Sequence, residues 1–417
     1  MTETTNSRQF KGRIALISPP WPIFSRPSIQ LGSLKAYLQA HHPGLAISCH
    51  HVYLQMAAAV GYPVYRQLAK EAWLAESIYA ALLYPEQQRP ARQLFYRQAR
   101  PYPDLRRLVF EDLVSCVRKT TEEFIDLTDW RALDLAGLSV CLCQLTASLY
   151  FIKKIRQKAP ELPIILGGSQ VGGQTAEDLL KTFAEIDLIV AGEGELPLSR
   201  LISHLQTGGG WNDLPDFPGR VRRGANASAA FSFSQLPDLG PLPAPDYSDY
   251  FTMLATFSPD KKFFPTLPVE MSRGCWWRSG TADRPGGCAF CNLNVQWHGY
   301  RSKEPAQVTE EIERLTGKHR VLSTAFMDNA LPPKKSRELF QMLAESGQDV
   351  QCFSELRATT ERRTLEDYRK GGMTEVQIGI EALSDGLLKK LNKGTTVMDN
   401  LAVMKNCEAL GLRTWPI

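Results

Sequence analysis

Cys275, Cys288 and Cys291 are the residues whose type and spacing point most directly to chemistry. Twelve residues separate Cys275 from Cys288, and only Ala289 and Phe290 lie between Cys288 and Cys291. Three thiolates with no fourth nearby make a poor structural zinc site, because such sites are closed by four ligands. Three thiolates do suit a 4Fe–4S cluster with one iron left open, since full ligation takes four. An open iron can take a substrate, and the ring of Phe290 would shield one side of the cluster. The competing reading is a four-cysteine zinc site that recruits Cys352 or Cys407. Cys49, Cys116, Cys141 and Cys143 complete the nine cysteines of the chain. So few, in odd number, form no disulfide framework and fit a reducing, cytoplasmic setting.

These cysteines need a scaffold, and the flanking pattern supplies one. Pro268 to Ser272 reads as a strand leading into the cysteine loop. Beyond the loop, the spacing predicts a helix at Pro305 to Thr316 and a strand through Phe326. A helix at Lys335 to Glu345, a strand at Val350 to Leu356 and a helix at Leu365 to Lys370 follow. A strand at Glu375 to Ile380, a helix at Asp399 to Leu410 and a strand opening at Arg413 to Ile417 end the chain. Five βα starts of this kind predict a partial parallel barrel, whose chemistry gathers at the carboxyl ends of the strands.

Upstream the same alternation builds a second domain. Arg13 to Pro19, Ala46 to Val52, Leu135 to Cys143, Leu162 to Leu166 and Ile186 to Val190 read as strands. Helices at Leu31 to Ala40, Ala147 to Lys158 and Thr175 to Phe183 lie between them. Residues 54–130 are too long for a crossover and read as a helical insertion. A doubly wound, Rossmann-like parallel sheet is the expected result, with ligands beyond the strand ends. The expected boundaries are 1–206 for this domain, 207–262 for a Gly/Pro-rich linker and 263–417 for the barrel.

Composition narrows the functional classes. Of 417 residues, 43% are hydrophobic and 22% charged, which is ordinary for a globular α/β protein and excludes disorder over most of the chain. A net charge of +4 over this length predicts no nucleic-acid partner. Apolar runs such as IDLIVAG are too short to span a membrane, and Thr2 to Arg8 is too polar for a signal peptide.

The runs EMSRGCWWRSG, GGCAFCNLN and YRSKEP together resemble the cluster loop of radical S-adenosylmethionine (SAM) enzymes. More narrowly, they are similar to the cobalamin-binding members that C-methylate ribosomally made peptides. The first cysteine spacing is longer here than in that subgroup, and the extra residues can loop out. The resemblance implies a 4Fe–4S cluster on Cys275, Cys288 and Cys291, with SAM at its open iron. It implies SAM contacts from Phe290, Asn329, Glu355, Arg357, Gln377 and Glu381. Carboxylates suit the SAM ammonium and ribose, and Arg357 its carboxylate.

The N-terminal domain, by the same resemblance, is expected to bind cobalamin. The residues implied are Ser139, Gln144, Thr146, Ser148, Gly167, Gly168, Ser169, Gly192, Glu193 and Gly194. The first turn, SPPWPIFSRPS, lacks a histidine, so no axial imidazole is expected. The implied reaction is one-electron cleavage of SAM to methionine and a 5′-deoxyadenosyl radical, which takes hydrogen from an unactivated carbon. Methylcobalamin then methylates that carbon, and no side chain is needed as a general base. A peptide substrate and a flavodoxin- or ferredoxin-type reductant are the implied partners. Two alternatives stay open: a non-methylating outcome such as cyclisation, ring contraction or oxidation, and a non-catalytic iron–sulfur or corrinoid protein. Because a strand begins at Arg413 with nothing behind it, an open barrel edge and a fragment of a longer protein are also expected.

Overall fold

The computed structural model describes residues 10–224, 232–278, 286–291 and 299–416. They divide into two compact units. The first runs to Leu236 and includes Pro245–Phe263; the second takes Pro237–Ala244 and everything from Phe264 onward.

In the first unit, β1 (Arg13–Ser18), α1 (Ile29–His41) and β2 (Ala46–His51) open the chain. Six helices follow: α2 (Val52–Val60), α3 (Tyr62–Leu68), α4 (Ala72–Leu83), α5 (Gln88–Gln98), α6 (Pro103–Arg106) and α7 (Phe110–Leu127). Alternation then resumes with β3 (Leu135–Ser139), α8 (Leu145–Lys158), β4 (Ile164–Gly167), α9 (Gln174–Thr182), β5 (Leu188–Val190) and α10 (Glu195–Gln206). A short strand, β6 (Arg220–Val221), and a helix, α11 (Ser248–Ala255), complete it. The sheet order is β2-β1-β3-β4-β5-β6, parallel except for the antiparallel β5–β6 pair. Ile14 to Ile17 of β1 are all buried, as a strand covered on both faces requires.

The helical insertion is part of this core. Trp21, just past β1, packs against Tyr65 of α3 at 5.2 Å and Tyr79 of α4 at 6.1 Å between ring centroids. On α7, Leu113, Val114, Val117, Phe124 and Ile125 recur at helical spacing and are buried. The carboxyl end of β1 is thereby covered by protein.

The stretch expected as a linker is structured instead. Residues 245–263 return to the first unit, and only 237–244 leave it. Asp249 of α11 pairs with the buried Lys35 of α1 at 2.7 Å and accepts from the Cys49 backbone N–H at 2.9 Å. Tyr250, wholly buried, donates to the Phe24 carbonyl at 2.8 Å. Gly/Pro-rich composition conceals these two anchors, which act through single side chains rather than through a pattern.

His51 is also wholly buried, and burial lowers its imidazole pKa to about 3 against a smaller upward pull from Asp249. The unfolded chain therefore binds a proton that the folded chain refuses between about pH 6.5 and pH 3. Stability of the first unit is expected to fall with pH across that window, by up to about 1.4 kcal/mol per pH unit from this residue. Urea midpoints measured from pH 7 to 5 should show that slope, and His51→Gln should reduce it, the remainder coming from His50, whose imidazole pKa burial lowers to about 4; an unchanged slope in the variant counts against the assignment.

The second unit holds β7 (Leu267–Val269), β8 (Ser272–Arg273), β9 (Arg301–Ser302), α12 (Pro305–His319), β10 (Ser323–Phe326) and α13 (Pro333–Ser346). β11 (Gln351–Arg357), α14 (Arg362–Lys370), β12 (Met373–Gly379), α15 (Asp385–Lys390), α16 (Val397–Ala409) and β13 (Arg413–Pro416) follow. Five strands form an all-parallel sheet in the order β7-β10-β11-β12-β13, with β7 and β13 at its edges. This is a partial (β/α) barrel. The expected strand at Pro268 to Ser272 is broken into β7 and β8. β8 leaves the sheet to pair antiparallel with β9. The cause is Asp328, whose carboxylate accepts from the Met271 N–H at 3.1 Å and from the Ser272 hydroxyl. Among the described residues, no helix is long and apolar enough to cross a membrane.

Candidate functional site

Strand parity decides which residues of the second unit face a ligand. On β11, Cys352, Ser354 and Leu356 are buried, while Phe353 and Glu355 are half-buried. The register places Glu355 beside Gln377, and Gln377 beside Trp415. These three therefore form a row across β11, β12 and β13 on the less covered face. Arg357 lies on the same parity, next to Gly379. Glu355 and Gln377, both expected at SAM, are brought together by this register.

The cysteine loop is held by backbone and indole contacts. Cys275, Cys288 and Cys291 are free and half-buried. The Arg278 N–H donates to the Cys275 carbonyl at 3.0 Å, and the Cys291 N–H to that of Cys288 at 3.1 Å. Trp276 Nε1 donates to the Leu331 carbonyl at 3.1 Å, and Asn329 Nδ2 to that of Gly274 at 3.4 Å. Asn329, another expected SAM residue, is thus tied to the residue preceding Cys275. Beside it, Asp328 is 2% exposed, and burial raises its pKa to about 7 despite its two hydrogen bonds.

A turn at residues 391–394 docks the second half of the loop. The Ala289 N–H donates to the Leu391 carbonyl at 2.8 Å. Asn392 Nδ2 donates to Gly287, at 2.7 Å, and Trp277 Nε1 to the Asn392 carbonyl at 3.0 Å. Lys393 is buried, pairs with Glu381 at 2.5 Å and sits 5.9 Å from the Phe290 ring. Arg357 donates to the Lys393 carbonyl. Phe290, Arg357 and Glu381, three residues far apart in sequence, therefore meet around Lys393. Sequence reasoning missed Lys393 altogether. It is one of three lysines in LLKKLNKG, and nothing in its spacing sets it apart.

Among the described residues, no three His, Cys, Asp or Glu side chains are gathered closely enough to grip a metal ion. The donor set nevertheless suits an iron–sulfur cluster: three soft thiols on one loop, with the buried Arg357 beside Cys288 and Cys275. The Nε of Arg357 is buried with no hydrogen-bond partner among the described residues, an orphan donor that an anionic group would satisfy.

In the first unit, the expected corrinoid residues separate into two sets. Ser139, Gly167 and Val190 are adjacent across β3, β4 and β5 at their carboxyl ends. Ser169 is exposed beyond β4, and Leu142, 67% exposed, lies beyond β3. In a doubly wound parallel sheet these carboxyl ends are where ligands bind. Gly168, at φ +111°, is a glycine because a Cβ there would overlap the Val140 backbone. Gly192, at φ +91°, meets the Ser234 backbone in the same way. The chain itself thus demands both glycines, with or without a ligand. Gly194 precedes α10, and Glu193 accepts from the Leu236 N–H at 2.6 Å.

Gln144, Thr146 and Ser148 face inward. Gln144 accepts from the Cys141 N–H at 2.9 Å and donates to the Pro19 carbonyl at 2.6 Å. Ser148 donates to the Gln144 carbonyl at 2.7 Å and is wholly buried. Thr146 is bound to Glu76 of the helical insertion. The Glu76 carboxylate accepts from the Leu145 N–H at 3.1 Å, the Thr146 N–H at 2.9 Å and the Thr146 hydroxyl at 2.5 Å. A carboxylate from within the chain therefore fills the amino end of α8, where a ligand phosphate would otherwise be drawn. The side chains of all three are thus bonded within the chain. Their polar types had suggested ligand contacts because the sequence gives no sign of Glu76 reaching across from α4.

Comparison with known proteins agrees with this architecture. Residues 269–416 match the family model of the Radical SAM superfamily, which covers the parallel sheet of the second unit and the cysteine loop. An uncharacterized methyltransferase of Pyrococcus horikoshii is 24% identical over 314 residues, 73% of this chain and 61% of that protein. The anaerobic magnesium-protoporphyrin IX monomethyl ester cyclase of Rubrivivax gelatinosus is 26% identical over 281 residues, covering 65% of this chain and 48% of the cyclase. Among solved structures, the cobalamin-dependent SAM radical enzyme OxsB, with aqua-cobalamin and SAM bound, superposes with a TM-score of 0.61. It is 15% identical, and the match covers 97% of this chain and 49% of OxsB. The chain thus spans about half to three fifths of the length of these relatives.

Proposed function

We propose that this chain belongs to a cobalamin-dependent radical SAM enzyme of the broad group that includes methyltransferases and cyclases. The observation that carries the reading is the position of the three-cysteine loop. It is docked at the carboxyl ends of a parallel sheet, within the segment that matches the Radical SAM superfamily. When bound, a 4Fe–4S cluster supplies one electron to SAM, and a corrinoid supplies a carrier for one-carbon or radical chemistry. Cys275, Cys288 and Cys291 would hold the cluster. Glu355 and Gln377, aligned on neighbouring strands, would orient the polar groups of SAM, with Asn329 fixing the loop beside it. In the first unit, Ser139, Gly167, Ser169 and Gly192 would present a flat floor to the corrinoid. The protein's part is to position these groups and keep water away from the radical.

C-methylation of a peptide is the finer reading, supported by the loop motifs. Cyclisation or another non-methylating outcome has better support from the relatives than peptide methylation, since a cyclase matches over about two thirds of the chain and no relative reported above is named for a peptide substrate. A flavodoxin- or ferredoxin-type protein is the proposed reductant. The test is anaerobic reconstitution with iron, sulfide and cobalamin, followed by reduction in the presence of SAM. Formation of 5′-deoxyadenosine and methionine is expected. Cobalamin should bind, and its Co(II) spectrum should lack nitrogen splitting from an axial histidine. Absence of both SAM cleavage and corrinoid binding would sink the reading. With methyl-labelled SAM, label in a product separates methyl transfer from the other outcomes.

A further inference from the structure

We propose that Arg357 is the charge partner of the cluster thiolates, a positioning residue that sets the reduction potential of the cluster instead of binding the SAM carboxylate. The inference rests on the proposed cluster at Cys275, Cys288 and Cys291.

Arg357 is 7% exposed at the end of β11. Its guanidinium lies 4.3 Å from the Trp277 ring and 5.4 Å from the Trp276 ring, so the two residues after Cys275 form its walls. One nitrogen donates to the Lys393 carbonyl, and Nε finds no partner among the described residues. Among the described residues no carboxylate pairs with it, and the ionisable groups beside it are the thiols of Cys288 and Cys275. Lys393 offers the contrast. It is equally buried but is neutralised by Glu381 at 2.5 Å. Among the described residues at this loop, buried Lys393 is balanced by a carboxylate and buried Arg357 is not.

A buried cation without a counter-charge is strongly destabilising, so a resident anion is required. Three thiolates on a cluster supply one at the right place. The guanidinium sits against two indoles set nearly perpendicular to each other, 6.5 Å apart between ring centroids, which limits its reach toward a second ligand. An arginine does not lose its proton at any working pH, so the charge is fixed. A fixed positive charge beside a cluster favours the reduced, more negative state and so raises its potential.

The experiment uses the full chain reconstituted anaerobically with iron and sulfide, with the redox titration run without SAM and SAM binding measured in a separate titration. Iron and sulfide content and the midpoint of an EPR-monitored redox titration are measured for wild type, Arg357→Met and Arg357→Lys. The expected result is a midpoint shifted to more negative potential in Arg357→Met, with a smaller shift of the same sign in Arg357→Lys. SAM dissociation constants should stay within about twofold of wild type. Should Arg357→Met lose iron, the Arg357→Lys midpoint decides. Unchanged midpoints, or SAM binding weakened by about tenfold or more at an unchanged midpoint, overturn the proposal in favour of a SAM carboxylate contact. Wild-type protein that takes up no iron and sulfide fails the cluster reading itself, which is a distinct result.

Discussion

Replacing Cys275, Cys288 and Cys291 together by alanine is expected to abolish iron and sulfide uptake while the chain stays folded. The three thiols lie on a loop fixed by backbone hydrogen bonds and by Trp276 and Trp277, so their loss removes no packed core. Single changes at the other six cysteines should leave the cluster in place. Cys352 is the informative control. It faces the buried, helix-covered side of β11, opposite in parity to Glu355 and Arg357, and accepts from the Thr324 hydroxyl at 3.1 Å. Burial pushes its thiol pKa up to about 12, and that of Cys407 up to about 11. Neither is disposed to act as a thiolate ligand, and recruiting Cys352 to a zinc site would require turning its strand over. Iron and sulfide retained by the triple variant, or lost from Cys352→Ala with the fold intact, would show that the ligand set is wrong.

The second large effect is expected at Glu76. Glu76→Ala leaves the amino end of α8 with two unpaired N–H groups and the Thr146 hydroxyl without its acceptor. A lost cap with charge-assisted bonds is worth about 2–3 kcal/mol. The urea midpoint of the first unit should fall accordingly, and Glu76→Gln, which keeps an acceptor, should fall less. Millimolar phosphate should restore part of the loss in Glu76→Ala and do nothing for wild type, because the vacated helix end attracts anions. A midpoint equal to wild type, or no difference in the response to phosphate, would refute the capping role.

How far the sequence reaches is clear from where it stops. Most strands and helices of both sheets were legible because apolar runs and helical spacing report burial directly, and Arg13–Ser18 or Val397–Ala409 differ from their expected limits by a residue or two, whereas α10 and α15 were not foreseen. The cysteine loop was legible from spacing and motif. Contacts made by one side chain over a long sequence distance were not. Asp328 breaking a strand, Lys393 under the cysteine loop and Asp249 anchoring α11 leave no periodic trace. The glycine turns were seen, but not their cause: at Gly168 and Gly192 a neighbouring backbone occupies the space that seemed reserved for a ligand.

The path of the chain between its two units limits how the molecule can be dissected. It leaves the first unit after Leu236, returns at Pro245 and leaves again after Phe263. A truncation at residue 206 would remove Asp249 and strand the Lys35 ammonium in a nearly dry setting, 7% exposed, without its partner. The Cys49 N–H at the edge of β2 would lose its acceptor in the same cut. A protease that nicks the chain between 237 and 244 would also free nothing cleanly, because the returning segment stays pinned by Lys35 and the Phe24 carbonyl. The two units are distinct as bodies but interleaved as polypeptide. Exchange of one of them between proteins, in the laboratory or in evolution, has to carry residues 245–263 along with the first sheet.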